Sequence, residues 1–329
     1  MYISEATLDD LLRRVIEALL SKKKRTRPTR GSAAEILGVV LKLRNPRARL
    51  SRTEGRGVLF SCLGELLWCL AGSNRLDFVK YYVPRYSDDS EDGKTIHGAY
   101  GPRLFCLRDQ DQIRNVVNLL KASPYSRRAV IQLFDASDIG ARRKEIPCTC
   151  TLQFVIRNQR LQMITSMRSN DAFLGLPHDV FTFTMLQEII ARELGVELGP
   201  YRHFVGSMHL YDDHREKATR FVGEGWQVTN TAMPPMPIGN PWAQIKKVLQ
   251  AEKSIRRNRV GSRDPHVDGY WGDLIRLLQI YRCSKDGDSR QISKLKKRMS
   301  TPVYEPYITK RERKATSQER QLVQEKLFN

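Results

Sequence analysis

Two short segments of alternating apolar and polar residues, separated by a polar turn, constrain the fold of this chain more than any other feature. The segments are TLQFVI (151–156) and LQMITSM (161–167), and the four residues between them read RNQR. Side chains alternate between the two faces of a strand, so each segment is predicted to be a strand with one buried face. The short polar connection predicts that the two strands pair as a β-hairpin.

Helical and strand patterns are intermixed along the rest of the chain. The predicted helices are 8–20 with Thr7 as its cap, 62–72, a segment capped by Asp109 and ended by Pro124, and 178–194. Further strands are predicted at 129–134 and 201–211, and residues 84–103 are predicted to be a polar loop. Because helices and hairpin-connected strands are mixed in this way, the sequence predicts an α+β fold.

The charge balance indicates anionic partners. The chain has 56 Lys and Arg against 36 Asp and Glu, a formal net charge of +20 over 329 residues. Hydrophobic residues make up 40%, too many for a disordered chain, and no run approaches the ~20 apolar residues of a membrane span. The partner class implied by this charge is either nucleic acid or a small molecule with several negative charges.

The spacing of the cysteines indicates that they are reduced thiols. Six are spread along the chain without the dense, regular spacing of a disulfide scaffold. The N-terminal segment MYISEATLDD is acidic, unlike a secretory signal, so we expect a cytoplasmic protein. Cys148 and Cys150 form a lone C-x-C pair that no second pair completes, so no metal is expected.

Two neighbouring segments carry residues suited to chemistry. A free cysteine such as Cys148 is usually a small buried hydrophobe, but an activated thiol is a nucleophile. In the segment MRSNDAFLGLPHD (167–179), Arg168 beside Ser169 suits a phosphate. Ser169 or Asp171 equally suits the cap of the helix that follows.

A third segment, VGSMHLY (205–211), alternates like a strand and places His209 and Tyr211 on one face. This pair suits the hydroxyl groups of a sugar, and it also suits an ordinary half-buried strand surface. The segment alone leaves both interpretations open.

Taken together and in order, these motifs resemble the thymidylate synthase superfamily. The matching elements are Glu65 in ELLW, Tyr100-Gly101, Ser126-Arg127-Arg128, Pro147-Cys148, Gln153-Phe154, RSNDAFLGLP (168–177) and GSMHLY (206–211). The resemblance implies an α+β fold in which a mixed sheet packs against helices, and a homodimer that associates sheet to sheet. We divide the chain into an N-terminal helix and basic segment (1–32), a catalytic core (33–225) and a divergent, basic, helical extension of the same domain (226–329).

The resemblance implies a role for each matching catalytic residue. Cys148 matches the family nucleophile, which attacks C6 of a pyrimidine nucleotide and makes C5 reactive. Neighbouring cationic groups are expected to stabilise its thiolate. Glu65 matches the acid–base carboxylate that acts at the base ring, and Tyr100 matches the tyrosine associated with removal of the C5 proton.

The resemblance also implies the binding residues. Arg168 and Ser169 match phosphate ligands, and Arg127 and Arg128 match the pair that reaches the other subunit's site in the homodimer. Arg47 best matches the loop arginine of the phosphate site, with Arg49 and Arg52 as close competitors. His209 and Tyr211 match ligands of the ribose hydroxyl, and Asp171 and Gly175 match residues that contact the folate cosubstrate, 5,10-methylenetetrahydrofolate.

Asp179 departs from the synthase pattern, which has Asn at this position. An amide complements the O4 acceptor and N3 donor of uracil, whereas cytosine presents a donor at N4 and an acceptor at N3. A protonated carboxyl group complements the cytosine edge, and Asp is what cytidylate hydroxymethylases of the superfamily carry here. A mispaired buried edge costs about 1–3 kcal/mol per group, so this residue is expected to select the base.

Further departures favour addition of water over hydride transfer. Residues 84–99 contain no Trp, Thr149 replaces the usual His after the nucleophile, and the chain ends in EKLFN after a charged tail. We therefore expect a 5-hydroxymethyltransferase that acts on CMP or dCMP with methylenetetrahydrofolate and water. The alternatives are a divergent thymidylate synthase acting on dUMP and a non-catalytic, basic nucleic-acid-binding protein on the same scaffold, the latter disfavoured by the intact catalytic positions.

Overall fold

The alternating segments form the predicted hairpin at the centre of a sheet. Its strands are Thr149–Arg157 and Arg160–Asp171, which pair antiparallel. The turn residues Asn158 and Gln159 both have positive φ angles, 51° and 59°. Two consecutive left-handed residues match the right-handed twist of the flanking strands, which is why this short connection closes the hairpin.

A computed structural model describes residues 1–28, 31–51, 58–140, 143–226, 232–258, 267 and 269–328, with side chains through residue 319. The chain divides into two compact units, Met1–Met233 and Pro234–Asn329. None of the described helices has the length and hydropathy that crossing a membrane requires.

The strands and helices of the first unit alternate along the chain. The strands are β1 (Tyr2–Glu5), β2 (Ala33–Leu43), β3 (Val130–Gln132), β4 (Thr149–Arg157), β5 (Arg160–Asp171) and β6 (Glu197–Tyr211). The helices are α1 (Leu8–Leu20), α2 (Leu59–Leu70), α3 (Leu76–Tyr82), α4 (Tyr86–Asp89), α5 (Tyr100–Cys106), α6 (Gln112–Ala122), α7 (Ser137–Gly140), α8 (Gly175–Leu194) and α9 (Arg215–Gly223).

The sheet is mixed, with the order β1-β2-β6-β5-β4-β3. Strand β5 pairs antiparallel with β4 and parallel with β6, and β6 pairs antiparallel with β2. Helix α8 makes the crossover between the parallel strands β5 and β6, as parallel pairing requires. This arrangement confirms the predicted α+β class with a mixed sheet and packed helices.

Helix α8 is the central helix of the first unit and packs on β5, β6 and α2. Its residues from Val180 to Arg192 are all buried, as expected for a helix covered on every side. The helix ends at Gly195, whose φ of 68° is a left-handed conformation that glycine adopts without strain. Glu188, within the buried stretch, forms an ion pair with Arg49, and neither side chain is exposed to solvent.

Two local predictions were wrong. Asp111, rather than Asp109, caps α6, because the Asp111 carboxylate accepts a hydrogen bond from the backbone N–H of Arg114. Residues 84–103, predicted to be a loop, contain α4 and the start of α5. Because these two short helices are polar and have no amphipathic pattern, the sequence did not predict them. Contacts of Tyr86 and Tyr100 with residues distant in sequence stabilise them instead.

The second unit is helical. Its helices are α10 (Trp242–Arg256), α11 (Gly269–Asp286), α12 (Ser289–Lys297) and α13 (Glu305–Phe328). Helix α11 packs against α10, α12 and α13, and it is buried over most of its length. Asp288 caps α12 by accepting a hydrogen bond from the backbone N–H of Gln291.

The buried Arg49–Glu188 pair leads to a prediction about stability. We predict that Arg49→Met lowers the free energy of unfolding by about 3–5 kcal/mol, because it leaves the buried Glu188 carboxylate without this cation. Urea unfolding followed by circular dichroism measures the loss. Arg220→Met, in the exposed pair of Arg220 with Glu216, is the matched control and should change stability little. Equal, small effects of the two substitutions would contradict a structural role for Arg49.

Candidate active site

Cys148 lies beside the guanidinium group of Arg168. Cys148 immediately precedes β4 and is half-buried, and Arg168 is on the neighbouring strand β5, where its backbone N–H donates to the Cys148 carbonyl at 2.9 Å. Arg168 Nη2 lies 3.6 Å from Cys148 Sγ, and Arg168 Nε donates to the Pro147 carbonyl at 3.0 Å. A fixed cation next to a sulfur atom stabilises the thiolate, which is the nucleophilic form.

Glu65 is held between two side chains from other helices. Helix α2 carries Glu65, the Tyr86 hydroxyl of α4 donates to Glu65 Oε1, and His178 Nδ1 of α8 contacts Glu65 Oε2. His178 Nε2 also lies 3.3 Å from the hydroxyl oxygen of Ser61. Both oxygens of the Glu65 carboxylate are therefore fixed in orientation.

The electrostatics of this group favour an ion pair. Burial by itself would raise the pKa of Glu65, but the adjacent His178 and the hydrogen bond from Tyr86 hold it below its usual value. Burial opposes the charged form of His178, but Cys62 and the Glu65 carboxylate raise the pKa of the imidazole well above its ordinary value. These pKa shifts favour an ionised Glu65 paired with a protonated His178.

Tyr100, the first residue of α5, projects toward Cys148 and the carboxylates. Its hydroxyl lies 2.9 Å from Thr149 Oγ1, and its ring stacks on Phe183 of α8 with 5.8 Å between centroids. Burial raises the pKa of Tyr100 well above its ordinary value, and the nearby Asp179 and Cys148 raise it further. The phenol therefore retains its proton at neutral pH and is available as a hydrogen-bond donor.

Asp179 contacts the end of strand β5 through Asn170. The Asn170 Nδ2 group donates to Asp179 Oδ2 at 2.7 Å. Gly175 leaves room for this contact, since a Cβ at that position would lie 2.9 Å from Asn170 Nδ2. Burial, with a contribution from the Glu65 charge, raises the pKa of Asp179 to about 7. Asp179 and Glu65 are therefore neighbouring carboxyl groups in different states, one near half-protonation and the other ionised.

Several of these groups line one small cavity. It has a volume of about 50 Å³, and its lining includes Glu65, Tyr86, Tyr100, Glu145 and Asp179. Glu145 accepts a hydrogen bond from the backbone N–H of Gly98 at 2.9 Å, and burial raises the pKa of its carboxyl group. The cavity exceeds the space that a single water needs, and it offers several hydrogen-bonding partners.

Residues expected to bind the sugar lie on adjacent strands. Ser169 Oγ of β5 lies 3.4 Å from His209 Nδ1 of β6, and the rings of His209 and Tyr211 meet edge to face at 4.9 Å. The expected common face of His209 and Tyr211 is thus present. Asp171 Oδ1 accepts hydrogen bonds from the backbone N–H groups of Phe173 and Leu174, so this residue also closes the turn into α8.

The candidate phosphate arginines are in different environments. Arg49 is buried and engaged by Glu188, so its guanidinium group belongs to the core, whereas Arg47 is half-buried after β2. Arg52 lies outside the described residues. Arg127 and Arg128 are exposed before β3, and Arg128 lines a separate depression of about 280 Å³.

Four residues of the site carry no role in the sequence-based interpretation. They are Tyr86, Glu145, Asn170 and His178. Asn170 and His178 stand inside the motif that contains Arg168 and Asp179, so their proximity in sequence was an available signal. Tyr86 and Glu145 come from polar segments without any periodic pattern, and only the tertiary structure brings them to the cavity. Among the described residues, no group of three or more His, Cys, Asp or Glu side chains is placed to hold a metal ion.

Comparisons with known proteins place the chain in a family. A family model described as thymidylate synthase matches residues 7–251. The chain is also similar to three proteins described as deoxyuridylate hydroxymethyltransferase. That of Pseudomonas phage M6 is 37% identical over 157 residues, which cover 47% of this chain and 45% of the phage protein.

Two further phage proteins share the same description. That of Bacillus phage SP01 is 32% identical over 203 residues, covering 57% of this chain and 53% of the relative. That of Delftia phage PhiW-14 is 29% identical over 195 residues, with 55% and 54% covered. The chain thus spans about half the length of the curated relatives it matches.

Two histidines of the site, the half-buried His178 and the buried His203, are expected to differ in protonation. We predict that His178 is protonated at neutral pH, whereas His203, whose pKa burial lowers to about 3, stays neutral throughout the folded range. Long-range nitrogen–proton NMR of the six histidines between about pH 5 and about pH 8 distinguishes the two states. His178→Gln and His203→Gln assign the signals. Titration of both rings near their ordinary value would contradict the prediction.

Proposed function

Since the chain belongs to the thymidylate synthase family, we propose that it transfers a one-carbon unit from 5,10-methylenetetrahydrofolate to C5 of a pyrimidine nucleoside monophosphate. Within this proposal the product is the 5-hydroxymethyl nucleotide, and the preferred base is cytosine. The observation that carries the proposal is the placement of Cys148 beside Arg168, next to a cavity lined by Glu65, Tyr100 and Asp179.

The covalent step starts at Cys148. Its thiolate, stabilised by Arg168, adds to C6 of the base, and the electron pair of the C5–C6 double bond makes C5 nucleophilic. The Tyr100 hydroxyl lies 2.9 Å from Thr149 Oγ1 and close to both Cys148 and Asp179. It is therefore the group that we assign to removal of the C5 proton. The ionised Glu65 is the acid–base group at the ring. Loss of the thiolate from C6 restores the double bond and frees the enzyme.

The folate supplies the one-carbon unit at the oxidation level of formaldehyde. Asp171 is the proposed ligand of its pterin ring, together with the backbone at Gly175. The turn into α8 uses Asp171 Oδ1, and the chemistry of the remaining carboxylate oxygen suits the N–H donors of a pterin.

Addition of water completes the reaction in this proposal. C5 first bonds to the methylene carbon of the folate and loses its proton, and the bond between that carbon and the folate nitrogen breaks, so tetrahydrofolate leaves. A water oxygen then bonds to the exocyclic carbon on C5, the C6–S bond breaks as the C5–C6 double bond re-forms, and the proton released by the water passes to a carboxylate. The cavity of about 50 Å³ lined by Glu65, Glu145 and Asp179 gives water and proton acceptors a place beside the ring. Hydride transfer, in contrast, needs a dry site. The three relatives described as hydroxymethyltransferases support the same outcome.

Asp179 supports cytosine as the base. With its pKa raised to about 7 by burial and by Glu65, the carboxyl group carries a proton in a substantial fraction of molecules at neutral pH. A protonated carboxyl donates to N3 and accepts from N4, the two groups of the cytosine edge. The second candidate is a uridylate, because the phage relatives are named for deoxyuridylate.

The remaining residues complete the proposed site. Arg47, Arg168 and Ser169 bind the phosphate, and His209 and Tyr211 bind the ribose hydroxyl. We include a homodimer in the proposal, with Arg127 and Arg128 serving the partner's phosphate site. Both arginines are exposed.

We predict that Cys148→Ser lowers kcat by at least about a thousandfold, because a hydroxyl group at this position is a much weaker nucleophile than a thiolate. Release of tritium from the C5 position of the nucleotide measures the loss. The matched control is Cys106→Ser, which removes an exposed thiol and should retain activity. Full activity of Cys148→Ser would rule out the covalent mechanism.

A panel of CMP, dCMP, UMP and dUMP tests the base and the product. We predict a preference for the cytidylates and a product heavier by one CH₂O group, with no dihydrofolate formed. In Asp179→Asn, the amide should shift the kcat/KM ratio toward the uridylates by about tenfold or more. Dihydrofolate formation would indicate methylation instead, and an unchanged ratio in Asp179→Asn would remove this residue as the base selector.

A further inference from the structure

A chain of buried hydrogen bonds runs from Asp179 into the sheet. Asn170 Nδ2 donates to Asp179 Oδ2 at 2.7 Å, and Asn170 Oδ1 lies 2.9 Å from His203 Nε2. His203 Nδ1 lies 2.8 Å from the Tyr201 hydroxyl, which lies 3.0 Å from Thr165 Oγ1. All of these residues behind Asp179 are buried, and the side chains of Thr165 and His203 have no exposed surface.

With the Asn170 amide nitrogen facing Asp179, one arrangement of protons satisfies this chain from Asn170 to Tyr201. His203 is enclosed without a neighbouring charge and is neutral, so its ring carries a single proton. Because Asn170 turns its amide nitrogen toward Asp179, its oxygen must accept from His203 Nε2. The other ring nitrogen, Nδ1, is then bare and accepts from the Tyr201 hydroxyl, whose oxygen lies 3.0 Å from Thr165 Oγ1. The donors of Tyr201, His203 and Asn170 therefore all point toward Asp179.

The direction of this chain has a consequence for Asp179. Its Oδ2 atom accepts a hydrogen bond from the Asn170 amide, so Oδ2 is the acceptor oxygen of the carboxyl group. When Asp179 takes up a proton, that proton is therefore directed to Oδ1. The two oxygens of Asp179 are made chemically different by a residue that need not touch the substrate.

We propose that Asn170, oriented by the buried His203–Tyr201–Thr165 chain, is a positioning residue that sets which pyrimidine the site accepts by fixing the oxygen of Asp179 that carries the proton. The inference rests on the proposed function of Asp179 as the residue facing the base. It assigns to four residues behind Asp179 a role in substrate selection that is separate from the chemical step.

The physical reason lies in the two pyrimidine edges. A neutral carboxyl group complements cytosine when the oxygen facing N3 holds the proton, and it complements uracil when the oxygen facing position 4 holds it. If either oxygen of Asp179 could hold the proton, the same carboxyl group would complement both cytosine and uracil. One fixed hydrogen bond from Asn170 removes that choice, and the wrong base then meets a mispaired edge.

Two substitutions test the proposal at different distances from the base. Asn170→Ala removes the donor, and Tyr201→Phe removes only the hydroxyl that selects the His203 tautomer. Tyr304→Phe is the matched control, because Tyr304 is an equally buried tyrosine in the second unit. The readouts are the ratio of kcat/KM for CMP to that for UMP, the same ratio of dissociation constants by calorimetry, and the pH profile.

We expect the ratio to move toward one by about tenfold in Asn170→Ala and by about threefold in Tyr201→Phe, and to stay unchanged in Tyr304→Phe. In Asn170→Ala the limb of the pH profile assigned to Asp179 should move to higher pH, because the lost hydrogen bond favoured the ionised form. The other groups facing Asp179, namely Glu65, His178, Arg85 and Tyr100, are intact in each variant.

The outcomes separate this inference from the proposed function. If both variants lower kcat/KM for CMP and for UMP by the same factor and leave the pH profile unchanged, the CMP-to-UMP ratio stays as it is in the wild type. The hydrogen-bond chain is then only structural, and the inference is wrong. If the wild type prefers UMP but the ratio still moves toward one, the base assignment fails and the inference stands. If the wild type binds neither nucleotide, both fail. Should Asn170→Ala not fold, Tyr201→Phe alone decides.

Discussion

Strand β5 hydrogen-bonds antiparallel to β4 on one side and parallel to β6 on the other, and the candidate site depends on this double pairing. The register sets Cys148, the residue just before β4, against the end of β5 that carries Arg168, and aligns Asp171 with His209 on β6. A slip by one residue would turn these side chains to the opposite face. The candidate site therefore depends on the pairing of a hairpin, β4 and β5, with β6, which follows in the sequence after helix α8.

The site holds two carboxyl groups in different states by giving them different neighbours. Glu65 has a protonated imidazole and a phenol as partners, which favour its anion. Asp179 is close to the Glu65 charge and has one amide donor, and burial raises its pKa to about 7. Such a division allows one group to remain an anion while the other exchanges a proton near neutral pH, which is how paired carboxyl groups acquire distinct roles.

Much of the scaffold could be predicted from periodicity, because β4, β5 and α8 are long and bury regular faces. Short elements could not: α4 and α5 lie in a polar segment, and their positions depend on contacts of Tyr86 and Tyr100 with α2, β4 and α8. The resemblance placed Cys148 and Arg168 in one site, and the structure brings them together. It did not decide whether Arg47 or Arg49 belongs to the phosphate site. The burial of Arg49 against Glu188 cannot be read from a loop sequence that contains several arginines. Glu145 had no signal at all, since it reaches the cavity only through the folded loop.

The missing side chain at Gly175 ties two positions of the chain to each other. A methyl group there would lie 2.9 Å from the Asn170 amide nitrogen and 3.5 Å from Asp179 Oδ2, so a larger residue at 175 is compatible only with a smaller one at 170. Replacements at 170 and 175 should accordingly be non-additive, with the double replacement milder than the sum of the single ones. In evolutionary terms, a lineage that lost the Asn170 amide would also be released from the need for glycine at 175. The two positions are thus expected to drift as a pair.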